Sequence, residues 1–180
     1  MTLAIPVHLV EHDPRWQAQA EDYTRLLSPL GDLLLAVHHI GSTAVPGLLS
    51  KPVIDLMPIT TSLEALDARR GDVEALGFGW HGEFGVDGRR FCTLNDEAGK
   101  RLANVHFYEC GSPHAQRHLA FRDYLRSHPK VAAAYRRDKL RSRAIHPDDS
   151  VAYSGEKGAW IRKAEAKALD WYGDGGDDAC

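Results

Sequence analysis

Two apolar runs joined by a glycine-rich loop constrain this chain more than any other feature. The first, Leu33-Leu-Leu-Ala-Val37, leads into Ile40-Gly41-Ser42. The second, Val53-Ile-Asp55-Leu-Met57, carries one carboxylate in its middle. Both read as buried strands. A bare carboxylate in such a run is unfavourable unless a cation, a metal or hydrogen bonds compensate it. A strand that ends in Gly-Ser offers backbone N–H groups and a hydroxyl, which suit a phosphate. A neighbouring strand then supplies the carboxylate that holds Mg²⁺ beside it. Gly41, Ser42 and Thr43 are therefore candidate phosphate ligands, and Asp55 a candidate metal ligand and catalytic residue.

The wording His39-Ile-Gly-Ser-Thr-Ala-Val-Pro-Gly47 and Lys51-Pro-Val-Ile-Asp55 resembles the GrpB family, a branch of the nucleotidyltransferase superfamily. The resemblance continues through Gly88-Arg-Arg-Phe91, Asn104-Val-His-Phe107 and Leu119-Ala-Phe-Arg-Asp-Tyr-Leu125, and ends near Tyr153 and Lys157. It implies a nucleotidyltransferase-like α+β fold with added C-terminal helices. It also implies a small phosphorylated ligand or nucleotide, with Mg²⁺ as cofactor if the chain is an enzyme. GrpB-type domains resemble modules that some bacteria fuse to the kinase acting last in coenzyme A synthesis, which points to a coenzyme-related role by analogy.

The chain departs from the superfamily's Asp-x-Asp pattern at one position. Lys51, Val53, Asp55 and Met57 share a strand face, so the second acid would stand at Met57. Methionine does not ligate Mg²⁺. Two functions therefore stay open: Mg²⁺-dependent nucleotidyl transfer, or a non-catalytic module that recognises an anionic metabolite or nucleotide. Lys51 either neutralises a phosphate or pairs with Asp55. Arg90 is preferred over Arg89 as an anion ligand because it sits nearer the strand body, and its planar fork suits phosphate. Asn104, His106 and Tyr108 share one strand face, with His106 a candidate base or ligand. Arg122 reaches an anion from the helical side. Tyr153 and Lys157 share a helix face, while Glu83 reads as a surface acid. The basic run of helix 136–143 reads as solvated, and His114 and His118 lack the further ligands of a zinc site.

The 180 residues suit one domain over 1–172, with an α/β core over about 1–110 and a helical part over about 112–172. The Gly- and Asp-rich tail 173–180 reads as disordered. Strands are expected near 33–40, 53–59, 78–84, 89–94 and 102–109, which makes a mixed sheet of about five strands. Helices are expected at 14–27, 61–76, 113–127, 129–144 and 148–172. Asp87-Gly88 signals a tight hairpin. A formal charge of −3 does not favour nucleic acid or an anionic membrane as partner. No apolar stretch approaches the roughly 18 residues of a spanning helix. Cys92, Cys110 and Cys180, an odd and widely spaced set, fit a reducing compartment better than a disulfide framework. With no signal-peptide pattern, the expected location is the cytoplasm.

Overall fold

Side chains alternate along each strand, and that alternation sorts the sheet into two faces with separate coverings. The computed structural model describes residues 6–173 and Cys180. Its five strands are β1 (Leu34–Ile40), β2 (Ile54–Thr60), β3 (Phe78–Trp80), β4 (Arg89–Asn95) and β5 (Arg101–Glu109). They are ordered β1-β2-β5-β4-β3. β2 and β5 run parallel, and every other neighbouring pair is antiparallel. The sheet is mixed, as the sequence pattern indicates.

One face buries Ile54, Leu56, Cys92, Val105 and Phe107 against Trp16, Leu30, Leu66 and Val73. These come from α1 (Arg15–Leu26), the 3-10 segment Ser28–Leu33, and the pair α2 (Leu63–Ala68) and α3 (Arg70–Ala75). The other face buries Ile40, Met57, Ile59 and Tyr108 beneath Ala115, Leu119, Ala120, Ala168 and Tyr172. Those residues belong to α4 (Pro113–Ser127) and α6 (Ser150–Tyr172). Between them α5 (Pro129–Ile145) lays Tyr135 flat against Trp160, with ring centroids 4.7 Å apart. No helix among the described residues is long and apolar enough to cross a membrane.

The C-terminal helices begin where the chain's punctuation places them. Pro113 and Pro129 occupy first-turn positions, where their missing N–H is no loss. Asp149 caps α6 by accepting from the N–H groups of Val151 and Ala152. The expected helix 61–76 differs in two ways. Its cap is Ser62, whose hydroxyl accepts from Ala65 N at 3.2 Å, and not Thr61. It also breaks at Arg69, whose backbone leaves the helical region and whose guanidinium bonds Leu30 O at 2.9 Å.

The hairpin at Asp87-Gly88 is wider than expected. β3 stops at Trp80, opposite Cys92, so residues 81–88 form a loop and not a tight turn. Glu83 closes it by accepting from Gly88 N at 3.0 Å. The cysteine reading needs correction too. Cys110, just past β5, and Cys180 are joined in a disulfide with their Cα atoms 5.5 Å apart, while Cys92 is buried and free. The sequence separation of 70 hid that closeness. Of the tail 173–180 read from sequence as disordered, residues 174–179 lie outside the described residues.

One close approach fixes the geometry of everything that follows. β1 ends with Ile40 opposite Asp55, and Gly41 turns the chain with φ +72°. A Cβ on Gly41 would stand 2.6 Å from Asp55 Oδ2. Positive φ is strained for any side-chain-bearing residue, and here no space exists for one either. Gly41→Ala is expected to lower stability by more than about 2 kcal/mol, read from the urea midpoint. Met57 is fully buried beneath α4. Met57→Asp is expected to cost at least ~3 kcal/mol, because the new acid meets no partner there. Its urea midpoint should not recover on addition of Mg²⁺.

Candidate functional site

The start of β2, the loop after β1 and the helices α5 and α6 enclose a cleft of about 490 Å³. Ser42, Thr43, Lys51 and Asp55 line it from the sheet side, and Lys139, Tyr153 and Lys157 from the helices. Lys100, Arg101 and Asn104 line its β5 side. Five basic residues thus face a single carboxylate, Asp55, among the described lining residues.

Asp55 sits opposite Asn104 in the parallel β2–β5 register. Asn104 Nδ2 donates to Asp55 Oδ1 at 3.0 Å, and His106 Nε2 lies 3.4 Å from the same oxygen. Arg101 donates to Asn104 Oδ1 at 2.8 Å and orients that amide. Burial alone would raise the Asp55 carboxyl, but His106 and Asn104 outweigh it and hold the group below the usual carboxylate range. The acid is therefore ionised at neutral pH and faces the cleft.

The cations carry the more unusual chemistry. Lys139 is 1 % exposed, where a charged amine is expensive. Its Nζ donates to Ser42 Oγ at 2.5 Å and to Leu49 O at 2.7 Å, and lies 4.7 Å over the Tyr135 ring. No carboxylate lies within ion-pair distance of it among the described residues. Burial, then the nearby Lys157 charge, pushes its pKa well below the ordinary lysine value. Lys157 Nζ lies 4.5 Å over the Tyr153 ring and is lowered to about 8, first by burial and then by Lys51. Lys51 donates to Ser150 Oγ at 2.8 Å and is lowered by burial against the pull of Asp55. It makes no ion pair with Asp55, because it precedes β2 and points to α6. The Tyr153 hydroxyl is buried in the cleft wall with no partner among the described residues.

Gly41, Ser42, Thr43, Lys51 and Asp55 are thus brought together. Thr43 is buried, and its hydroxyl lies 2.9 Å from His39 Nε2. His106 sits one step along β5 from the cleft, between Asp55, Arg89 and Phe91. Arg90 lies elsewhere. Strand alternation turns it to the α2 face, where it binds Asp67 at 2.6 and 2.7 Å. Arg89 takes the Asp55 side of the sheet instead, 3.5 Å from His106 Nδ1. Arg122 is also absent from the cleft lining. Its guanidinium is clamped by Asp123 and donates to His39 O at 3.1 Å, bracing α4 on β1. Lys139 was hidden in the sequence by its basic neighbours. Tyr135, Lys139 and Ser142 form a buried stripe at i, i+4 and i+7, which is the signal that separates it from them.

The metal reading meets a short donor set. Asp55 is the single cleft carboxylate, and the position of a second acid holds Met57, packed out of reach under α4. No group of three His, Cys, Asp or Glu side chains among the described residues is arranged for a metal ion. These residues do not fit a two-metal clamp.

Comparison with known proteins places this geometry. The chain is 38% identical to UPF0157 protein YqkA of Bacillus subtilis (strain 168), over 92% of this chain and 48% of the relative. It is 33% identical to a dephospho-CoA kinase of Mycolicibacterium paratuberculosis, over 92% of this chain and 47% of that one. The chain therefore spans about half the length of these two relatives. The crystal structure of the conserved protein GrpB from Enterococcus faecalis superposes with a TM-score of 0.85 at 38% identity, covering 92% of this chain and 99% of that one. A cytoplasmic RNA terminal U-transferase superposes with a TM-score of 0.50 at 15% identity, over 76% of this chain and 42% of that one, and shows a shared nucleotidyltransferase-like α+β fold. A family model described as GrpB protein matches residues 6–167, and the chain belongs to the GrpB family.

Proposed function

We propose that the cleft binds a small phosphorylated ligand, a nucleotide or coenzyme-type molecule, and that cationic side chains and not a metal ion hold its phosphates. One observation carries this reading. Lys139 is buried with a hydroxyl, a carbonyl and the Tyr135 ring for partners and no carboxylate in ion-pair range, beside two further lysines lowered by the same burial. Crowded, desolvated lysines are unfavourable until an anion arrives, so the cleft is electrostatically pre-set for one. Ser42 supplies a hydroxyl on the sheet side and Tyr153 a second from α6. The half-length match to a dephospho-CoA kinase makes dephospho-coenzyme A one compound to test.

A second reading, nucleotidyl transfer, draws on the ionised Asp55 and the adjacent His106. Such a pair can orient and deprotonate an attacking hydroxyl, while the lysines neutralise charge on the transferring phosphoryl group. Calorimetric titration of ATP, CTP, GTP and dephospho-coenzyme A separates the two. Binding that persists in EDTA and falls at least about tenfold in Lys139→Met supports the first reading. Binding that requires Mg²⁺ and disappears in Asp55→Ala supports the second. Absence of binding by all four compounds overturns both.

The pH dependence follows from Lys157. Its protonated form attracts phosphate, and half of it is lost near pH 8. Phosphate ligands have completed their second ionisation by then, so their charge is constant. Affinity is expected to fall by about tenfold between pH 7 and 9, and this slope should flatten in Lys157→Met.

A further inference from the structure

Phe84 is the one described residue other than glycine with positive φ, at +47°, and it is 65 % exposed. A large aromatic side chain in that backbone region is a strained outlier. The loop holds it there deliberately. Arg89 donates to Phe84 O at 2.7 Å and to Glu83 O at 3.2 Å, and Gly82 and Gly85 on either side absorb two further left-handed turns. The ring stacks on Phe91 with centroids 5.1 Å apart and planes 20° apart, and His81 lies 5.7 Å from both. Phe91 contacts His106 at 5.2 Å, and His106 lies against Asp55. The Arg89 guanidinium, 5.0 Å over the Phe91 ring, also reaches His106. Arg89 therefore ties the strained loop to the candidate site.

We propose that Phe84, supported by Phe91, His81 and Arg89, is a stacking platform for the heteroaromatic ring of a nucleoside-like ligand, bound on the flank of the sheet beyond His106. Phe84 presents a flat apolar face to solvent, and stacking of a base on such a face is favourable and tolerant of base identity. The adjacent Arg89 and His81 complement the electron-rich edge of a base and any phosphate attached to it. A planar ring satisfies both features, whereas an aliphatic chain uses neither. Ring contacts run from Phe84 through Phe91 to His106, while none of these residues lines the lysine cleft. It stands or falls independently of the phosphate reading.

The test uses adenosine and uridine, which carry no phosphate, with ribose 5-phosphate as a ring-free control. Binding is read from broadening of the base protons in NMR. Both nucleosides should bind the wild type, and binding should weaken at least about fivefold in Phe84→Gly and Phe84→Leu while Phe84→Trp retains it. Ribose 5-phosphate, which carries no base, should show no dependence on residue 84. Glycine relieves the positive φ, so Phe84→Gly should melt no lower than wild type, which separates a ligand role from a structural one. The proposal is overturned if neither nucleoside broadens at about 10 mM, or if Phe84→Gly and Phe84→Leu bind them as the wild type does.

Discussion

The contact between Gly41 and Asp55 is the constraint on which the rest of this structure depends. β1 and β2 pair antiparallel, and the chain must leave β1 directly over the carboxylate of its partner strand. Only a residue without a side chain passes there. The consequence is geometric: the backbone of the Ser42 loop and the Asp55 carboxylate are held at van der Waals distance, and the cleft opens immediately beside them. Asn104 and His106 then fix the carboxylate from the parallel neighbour β5. The anion is answered by Asn104 and His106 on the sheet, and the lysines opposite make no ion pair among the described residues.

That division explains the electrostatic character of the site. In an ordinary surface ion pair the cation is neutralised and contributes little. Arg90 with Asp67 and Arg136 with Glu11 are of that kind. Lys139 is different, because its amine is buried and held by a hydroxyl, a carbonyl and the Tyr135 ring, with no ion pair. The GrpB fold here retains the sheet and loop of a nucleotidyltransferase-like architecture while the position of a second acid is sealed in apolar packing by Met57. The cationic side chains of the cleft come largely from the helices, with Lys139 on α5 and Lys157 on α6.

Much of this was legible in the sequence. Proline and aspartate mark the starts of α4, α5 and α6, and the apolar periodicities give five strands in nearly the right places. The Gly-Ser loop and the isolated acid mark one wall of the cleft. What was not legible depended on direction. Arg89 and Arg90 are adjacent, so a one-residue choice of face decides which one lies beside His106, and strand length alone did not settle it. Lys139 sits among Arg136, Arg137, Arg141 and Arg143, and only its spacing from Tyr135 and Ser142 marks it as inward. Cys110 and Cys180 meet through tertiary proximity that no local pattern encodes. Thr61 and Ser62 are both competent caps, and the backbone of Ser62 is the one in extended geometry.

The cleft is assembled from pieces far apart along the chain: Ser42 and Lys139 meet across 97 positions, and Lys51 and Ser150 across 99. During synthesis from the ribosome, the Gly-Ser loop and Asp55 therefore emerge long before the amines that complete the pocket. On the reading proposed above, a nascent chain gains a complete ligand site only once α6 has emerged and docked. Because a ligand stabilises only the state that binds it, occupancy of such a site would reinforce the seam between sheet and helical layer.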